Sequence, residues 1–251
     1  MTRFPRLNPA RHPAPGFAAM GLVLAAISHP AVATAIVSGL GEPVRRPLAV
    51  ARLLDLGLRH ILLAGTGLGL VAILGIGLGI LVTRPAGVPW RPVVDALAAG
   101  AQAVPPVVVV ALALPVLGFG GPPTLLALVA YGIMPVLRGT VGGIEGVAPD
   151  VREAGRAIGL TRTQILTRIE LPLAAPAIVE TLRTALVLAV ATAAVGALAG
   201  AATLGSPIVA GLQNQNTVPM LQGAAATAAL AFLADALLLA LTGRWRASTR
   251  P

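Results

Sequence analysis

The sequence has no cysteine and no lysine, and only 11% of its 251 residues are charged. The absence of cysteine excludes disulfide bonds, thiol catalysis and thiolate-bound metals. The absence of lysine excludes the phosphate-binding P-loop, because that motif requires a lysine beside its last glycine. If ATP drives this protein, another subunit must therefore bind the nucleotide.

Motifs for catalysis, metal binding and nucleic-acid binding are also missing. His12, His29 and His60 share no ligand-like spacing, and neither HExxH nor GxSxG occurs. Aromatic residues make up 3% of the chain and are not interleaved with a basic patch. We therefore expect no catalytic residue, no metal site, no cofactor and no nucleic-acid partner.

Apolar residues are abundant instead, at 56% of the chain, and they form runs of about 20 residues. Runs of this length cross a bilayer as helices. The sequence therefore predicts an all-α, polytopic transmembrane bundle of about six helices. The runs cover 16–40, 60–82, 93–117, 122–137, 173–200 and 223–242.

The segment 1–49 has two possible interpretations. Its basic, proline-rich start leads into the run 16–40, which Ser28, His29 and Pro30 interrupt. We favour a kinked transmembrane helix that is retained in the mature protein. A signal peptide, with an apolar stretch at 17–27 followed by the small residues AVATA, fits the same pattern. The sequence leaves both open.

Arginine accounts for the whole positive charge of the chain, with 18 residues and a net charge of +9. Thirteen arginines lie in segments that would share one side of the membrane: the N-terminus, 83–92, 138–172 and the residues after 243. Four, between positions 45 and 59, would lie on the other side. The positive-inside rule places the larger group, and with it 138–172, in the cytoplasm.

A break is predicted in the third apolar run. Gln102 precedes Pro105 and Pro106, and consecutive prolines cannot continue a helix. Broken membrane helices leave backbone groups that need partners, and such breaks either pack as kinks or line a pathway. Gln102, Pro105 and Pro106 are therefore candidates for the translocation pathway.

Three charged residues lie within the last two apolar runs. At 1.5 Å per residue, Arg183 lies about 15 Å and Asp235 about 12 Å from the cytoplasmic ends of their helices. Because an unpaired charge at that depth is costly, we expect a carboxylate to compensate Arg183. Asp235 is one candidate, and Glu180, three residues before Arg183, is the other.

Residues 150–172 predict two short helices. Asp150 and Glu153 have the spacing of a capping box, and Gly159 stands where a left-handed residue commonly ends a helix. A second capping box, Thr161-x-x-Gln164, opens the next helix, and Leu171-Pro172 is expected to stop it. The first helix is short and rich in small residues, so it can dock into a groove on another protein.

The same stretch, EAGRAIGLTRTQILTRIELP at 153–172, resembles the EAA loop of permeases of binding-protein-dependent ABC importers. That signature reads EAA, three residues, G, nine residues and I-x-L-P. Every spaced landmark is present, and only the third alanine is replaced, by Gly155. The resemblance implies that this loop couples the membrane helices to an ATPase through Glu153, Ala154, Gly155, Arg156, Gly159, Leu171 and Pro172.

The resemblance also implies the partners. A pair of permeases, identical or different, would sit in the lipid of the cytoplasmic membrane on a dimer of ATPase subunits. A separate extracytoplasmic binding protein would deliver the solute. The coupling helix would convert closure of the ATPase cleft into movement of the membrane helices.

Other stretches, among them QAVPPVVVVALALPVLGFG and VGALAGAATLGSPIVAGL, resemble permeases of osmoprotectant uptake systems for glycine betaine, carnitine, choline or proline. The resemblance covers about 50–243, a permease domain with five helices in its shared core. Residues 1–49 would be an added segment and 244–251 a cytoplasmic tail. Departures at Gly139, Ala201–Thr203 and Ala225–Ala226 put the substrate in doubt.

The sequence leaves two alternatives open. The first is the same machine with a different cargo, such as methionine or another amino acid. The second is a secondary transporter or membrane scaffold that works without an ATPase. No matched inverted repeats with broken helices occur, and such repeats would favour a secondary transporter.

Overall fold

The computed structural model describes residues 13–248, and side chains are described for residues 13–242. Within these ranges the chain is helical and contains no strand, as the apolar runs predict. The α-helices are α1 (Ala14–Ser28), α2 (Pro30–Gly39), α3 (Val50–Val82), α4 (Arg91–Ala103), α5 (Pro106–Leu117), α6 (Gly121–Glu145), α7 (Pro149–Ala157), α8 (Arg162–Ile165), α9 (Leu171–Val195), α10 (Ser206–Gln213) and α11 (Thr217–Ser248).

Four stretches of the described chain are long and apolar enough to cross a membrane: α3, α6, 162–199 and 217–242. Two bent pairs raise the number to six if each pair is one span: α1 with α2, bent by 79°, and α4 with α5, bent by 96°. The prediction of about six membrane helices is therefore confirmed if each bent pair is counted as one span. Both bends lie at prolines named from the sequence, Pro30 and Pro105–Pro106.

Several helices, among them α3, α6 and α11, extend beyond their apolar runs. The helix α3 begins at Val50 rather than near residue 60, and α6 continues to Glu145. Arg138 therefore lies within α6 and not in a loop, which corrects the predicted boundary. The reason is that a helix can leave the bilayer and continue in water with polar residues, so hydrophobicity alone marks only the part within lipid.

The core lies between α3, α6 and α9, where glycines let the backbones approach. A Cβ on Gly75 would lie 2.8 Å from Val136, and one on Gly79 would lie 2.6 Å from Thr140. On the other side of α6, a Cβ on Gly139 would lie 2.3 Å from Thr181 of α9. Close packing at small residues contributes to helix association in lipid, where burial of apolar surface supplies little.

The first two helices are packed onto the rest of the bundle. Phe17 of α1 lies 5.8 Å, centroid to centroid, from Phe232 of α11, and Ala33 and Val37 of α2 are buried against Val218. Gln222, fully buried in α11, donates to the carbonyls of Ser28 (3.2 Å) and Leu48 (3.1 Å) and accepts from Leu48 N–H (2.8 Å). One side chain thus joins the end of α1, the segment before α3 and α11.

Candidate functional site

The short helix α7 begins differently from the sequence prediction. Its N-cap is Ala148, Pro149 occupies the first turn, and no side chain caps the helix. The capping box predicted from Asp150 and Glu153 is therefore wrong. Proline in the first turn needs no N–H partner and has the right φ, so it starts the helix without a polar cap. Asp150 instead lies in the first turn, where its negative charge interacts favourably with the helix dipole.

The faces of α7 are clearly divided. Gly155 is buried, and a Cβ there would lie 2.7 Å from Ile169, so Gly155 allows α7 to pack on the segment that follows it. Gly155 thus lies on the inner face of α7, and its part in coupling to an ATPase stays a prediction. Glu153, Ala154 and Ala157 are exposed, and Ile158 is 78% exposed. The outward face of α7 therefore presents small, apolar and charged side chains.

Gly159 ends α7 as predicted, with φ of +83°. Leu160 N–H donates to Gly155 O at 3.0 Å and Gly159 N–H to Arg156 O at 2.9 Å, the two bonds of a Schellman motif. No atom outside the immediate chain lies within 4 Å of a Cβ placed on Gly159, so the backbone conformation alone demands glycine. This turn sets the angle between α7 and α8.

The second capping box is confirmed. Gln164 N–H donates to Thr161 Oγ1 (3.3 Å), and Thr161 N–H donates to Gln164 Oε1 (2.9 Å). The predicted stop at Leu171-Pro172 is wrong, because α8 continues through a π-helical turn, Leu166–Glu170, into α9. Leu171 N–H bonds to Leu166 O, five residues back. A wider turn accommodates a proline that cannot donate, so Pro172 lies in the first turn of α9.

Glu170, which belongs to none of the predicted sites, is buried at the centre of this region. Its carboxylate lies 2.8 Å from Arg84 Nη1 and 2.9 Å from Arg152 Nε. Neither Glu170 Oε2, which faces Arg84, nor Arg152 Nε has a hydrogen-bond partner, so both contacts are ion pairs rather than hydrogen bonds. Arg152 also donates to Ile144 O at the end of α6. The available signal was an ionisable residue between the apolar Ile169 and Leu171.

The intramembrane charges form one cluster, as expected. Arg183 donates through Nε and Nη2 to the two oxygens of Asp235, at 2.8 and 2.9 Å. Its Nη1 donates to Glu180, at 2.9 Å to each oxygen. The side chains of Arg183 and Asp235 are 17% and 12% exposed, whereas that of Glu180 is 63% exposed. Both candidate partners are therefore used at once.

The break between α4 and α5 is closed by polar contacts with α6. Gln102 Nε2 donates to Tyr131 O at 2.8 Å, and the Tyr131 hydroxyl donates to Val104 O. Val104 is the extended residue that separates α4 from Pro105 and Pro106. The Tyr131 hydroxyl satisfies the Val104 carbonyl at the break, and Gln102 satisfies the Tyr131 carbonyl, which has no helical donor because Pro135, four residues on, lacks an N–H. Both bonds anchor the bend to α6.

The comparisons with known proteins agree with the sequence and the fold. Residues 75–247 match the family described as "Binding-protein-dependent transport system inner membrane component". The carnitine transport permease protein OpuCD of Listeria monocytogenes is 38% identical over 184 residues, 72% of this chain and 80% of that protein. The osmoprotectant import permease protein OsmY of Salmonella typhimurium is 35% identical over 186 residues, 74% of this chain and 79% of that protein.

Solved structures show the same fold. The inward-facing MetNI methionine ABC transporter superimposes with a TM-score of 0.63 at 22% identity, covering 79% of this chain and 96% of that chain. An amino acid ABC transporter crystallised with histidines gives a TM-score of 0.60 at 19% identity, covering 78% of this chain and 94% of that chain. The chain therefore belongs to the family of permeases of binding-protein-dependent ABC importers and is a component of the cytoplasmic (inner) membrane.

Proposed function

We propose that this permease carries a small compatible solute, such as glycine betaine, carnitine, choline or proline, into the cytoplasm. The observation that carries the proposal is the 35–38% identity with osmoprotectant permeases over nearly three quarters of the chain. Among these, one of Bacillus subtilis is described as a glycine betaine/carnitine/choline transport system permease protein. The ATP that drives import is hydrolysed by a separate ATPase subunit.

The outward face of α7 is the proposed contact with that ATPase. Glu153 and Arg156 are exposed, and neither makes an ion pair within the described side chains, so both can pair across an interface. Ala154 and Ala157 leave room for close approach, and Ile158 supplies apolar surface. Gly155 supports the same site from its inner side, because it lets α7 pack on α8 and the π-helical turn. Leu171 and Pro172 begin α9 directly after that turn.

The face of α9 that carries Glu180 is proposed to meet the second permease subunit rather than lipid. Its exposed residues recur at intervals of three and four: Leu173, Ala177, Glu180, Thr184, Val187 and Ala191. A carboxylate that is 63% exposed at this depth is unfavourable against hydrocarbon, and such groups face protein or a water-filled cavity. We place the pathway along this interface, with the Gln102–Pro105–Pro106 break as a second candidate lining.

Transport in proteoliposomes tests the proposal. The permease, with its copurified ATPase and binding protein, should accumulate radiolabelled glycine betaine, carnitine, choline or proline only when ATP is supplied on the cytoplasmic side. The purified permease without the ATPase should neither bind nor hydrolyse ATP at micromolar concentrations, since the chain has no lysine for a P-loop.

Two outcomes would replace the proposal. ATP-driven accumulation of methionine or another amino acid, without any of the four solutes, would keep the machine and change its cargo. Uptake that persists without ATP would indicate a secondary transporter instead.

A further inference from the structure

Glu170 is a buried acidic residue at the cytoplasmic end of the bundle. It is the last residue of the π-helical turn, it occupies the position between Ile169 and Leu171, and its side chain is 6% exposed. In an α-helix each residue advances by about 100°, so the extra residue of a π-turn rotates the helix beyond it by that angle. The local geometry at Glu170 is therefore set by the irregular turn that precedes α9.

The carboxylate of Glu170 joins three parts of the protein. Oε2 lies 2.8 Å from Arg84, in the turn directly after α3, and Oε1 lies 2.9 Å from Arg152 of α7. Glu170 itself is continuous with α9. A single side chain thus connects the coupling helix to two of the three core helices.

Each of the two arginines makes further hydrogen bonds that restrict its position. Arg84 donates to Thr83 Oγ1, and its carbonyl accepts from Gly87 N–H (2.8 Å) and Val88 N–H (3.0 Å) in the turn after α3. Arg152 donates to Ile144 O, which belongs to α6. A displacement of α7 therefore cannot be absorbed by free rotation of a long side chain.

Burial makes the junction sensitive to geometry. The side chain of Glu170 is buried, and those of Arg84 and Arg152 are 27% and 23% exposed, so each pair is stronger than the same pair in open solvent. Removing one partner leaves the other uncompensated. Glu170 also carries one negative charge against two arginines, so its loss leaves two adjacent positive charges. A contact of this kind favours one arrangement of α7 against α3 and α9 over others.

We propose that Glu170 is a positioning residue that transmits movement of α7 to α3 and α9 through its ion pairs with Arg152 and Arg84. The inference rests on the proposed function, because it takes α7 as the ATPase contact. Arg152 lies on the half-buried side of α7, whereas Glu153, Ala154 and Ala157 are exposed. Force applied to the exposed face reaches the membrane helices through the Arg152–Glu170–Arg84 chain.

The test is the ratio of solute imported to ATP hydrolysed by the reconstituted complex. Glu170→Gln removes the charge at nearly constant volume and should lower this ratio at least about fivefold, the lower end of ordinary coupling between sites. Glu170→Asp, which keeps the charge, should restore part of the ratio. The matched control is Glu145→Gln, which removes an exposed carboxylate paired with Arg91 at the same end of the bundle and should leave the ratio unchanged.

A second variant covers the case in which Glu170→Gln fails to assemble. Arg152→Gln removes only the ion pair between Glu170 and α7 and leaves Glu170 paired with Arg84. The variant complex should still bind the ATPase and should also show a lower ratio of solute imported to ATP hydrolysed. An unchanged ratio in Arg152→Gln, or in an assembled Glu170→Gln complex, would overturn the inference. An equal fall in Glu145→Gln would overturn it as well, because the effect would then be nonspecific.

A second measurement does not depend on the cargo. The chain has no cysteine, so one introduced at Thr184 can report whether labelling by a water-soluble maleimide changes when the ATPase is trapped with vanadate. We expect a change in the parent complex and none with Glu170→Gln. A change in both would overturn the inference alone, whereas no change in the parent would count against the proposed function.

Discussion

Arg183 and Asp235 form a two-point salt bridge between α9 and α11, with both oxygens of one carboxylate facing one guanidinium at 2.8 and 2.9 Å. The same guanidinium holds Glu180 through its remaining nitrogen. The cluster therefore contains two carboxylates and one cation. Asp235 is enclosed by the bundle, and Glu180 is presented on the surface.

The first prediction concerns this salt bridge. Asp235→Asn should lower the stability of the detergent-solubilised protein by about 3 kcal/mol, since breaking one side of a buried pair leaves a charge uncompensated. Glu180→Gln should have a much smaller effect, because Glu180 is exposed and Asp235 still neutralises Arg183. Thermal unfolding midpoints of the two variants decide the matter, and equal midpoints would contradict the assignment.

The second prediction concerns the turn after α7. Gly159→Val should uncouple ATP hydrolysis from transport while leaving membrane insertion intact, because φ of +83° costs a β-branched residue about 1–2 kcal/mol. Gly159→Asn is the control at the same position, since asparagine tolerates the left-handed conformation. Gly159→Asn should show uptake and ATPase rates close to those of the parent. Gly159→Val should hydrolyse ATP without a matching rate of uptake. Normal coupled uptake with Val would show that the turn is a passive connector.

The third prediction concerns the charge on the outward face of α7. Glu153→Lys should reduce copurification of the ATPase, and Glu153→Gln should reduce it less. Because Glu153 caps no helix end, the effect is expected to act through the interface and not through helix stability. A loss that becomes smaller at high salt would support this, since salt screens exposed charges. Full ATPase recovery with Glu153→Lys at low salt would remove Glu153 from the interface.

The fourth prediction concerns the exposed face of α9. A cysteine at Thr184 should react with a water-soluble maleimide or form a cross-link to the second permease. The control is Leu70→Cys, which lies on an exposed part of α3 at a similar number of residues from the cytoplasmic end. Leu70→Cys should stay unlabelled if it faces lipid. If neither cysteine reacts with the maleimide or forms a cross-link, the exposed face of α9 lies in lipid.

Much of the architecture follows from the sequence alone, because its signals are local. Apolar runs of bilayer length predict the membrane helices, and prolines at positions 30, 105 and 106 predict the two bends. Gly159 and the Thr161–Gln164 capping box were also readable, since each depends on residues within one helical turn. The spacing of the loop at 153–172 was sufficient to suggest the family.

The tertiary structure alone decided which side chains share a site. Glu170 meets Arg84 and Arg152 because a π-turn and the packing of α7 bring three distant segments together, and no spacing in the chain records that. Gly155 faces inward, where a Cβ would lie 2.7 Å from Ile169, and the spacing of the loop does not reveal which face of α7 is buried. Local chemistry determines where helices start, bend and cross the membrane, whereas the approach and rotation of distant helices determine which charges meet.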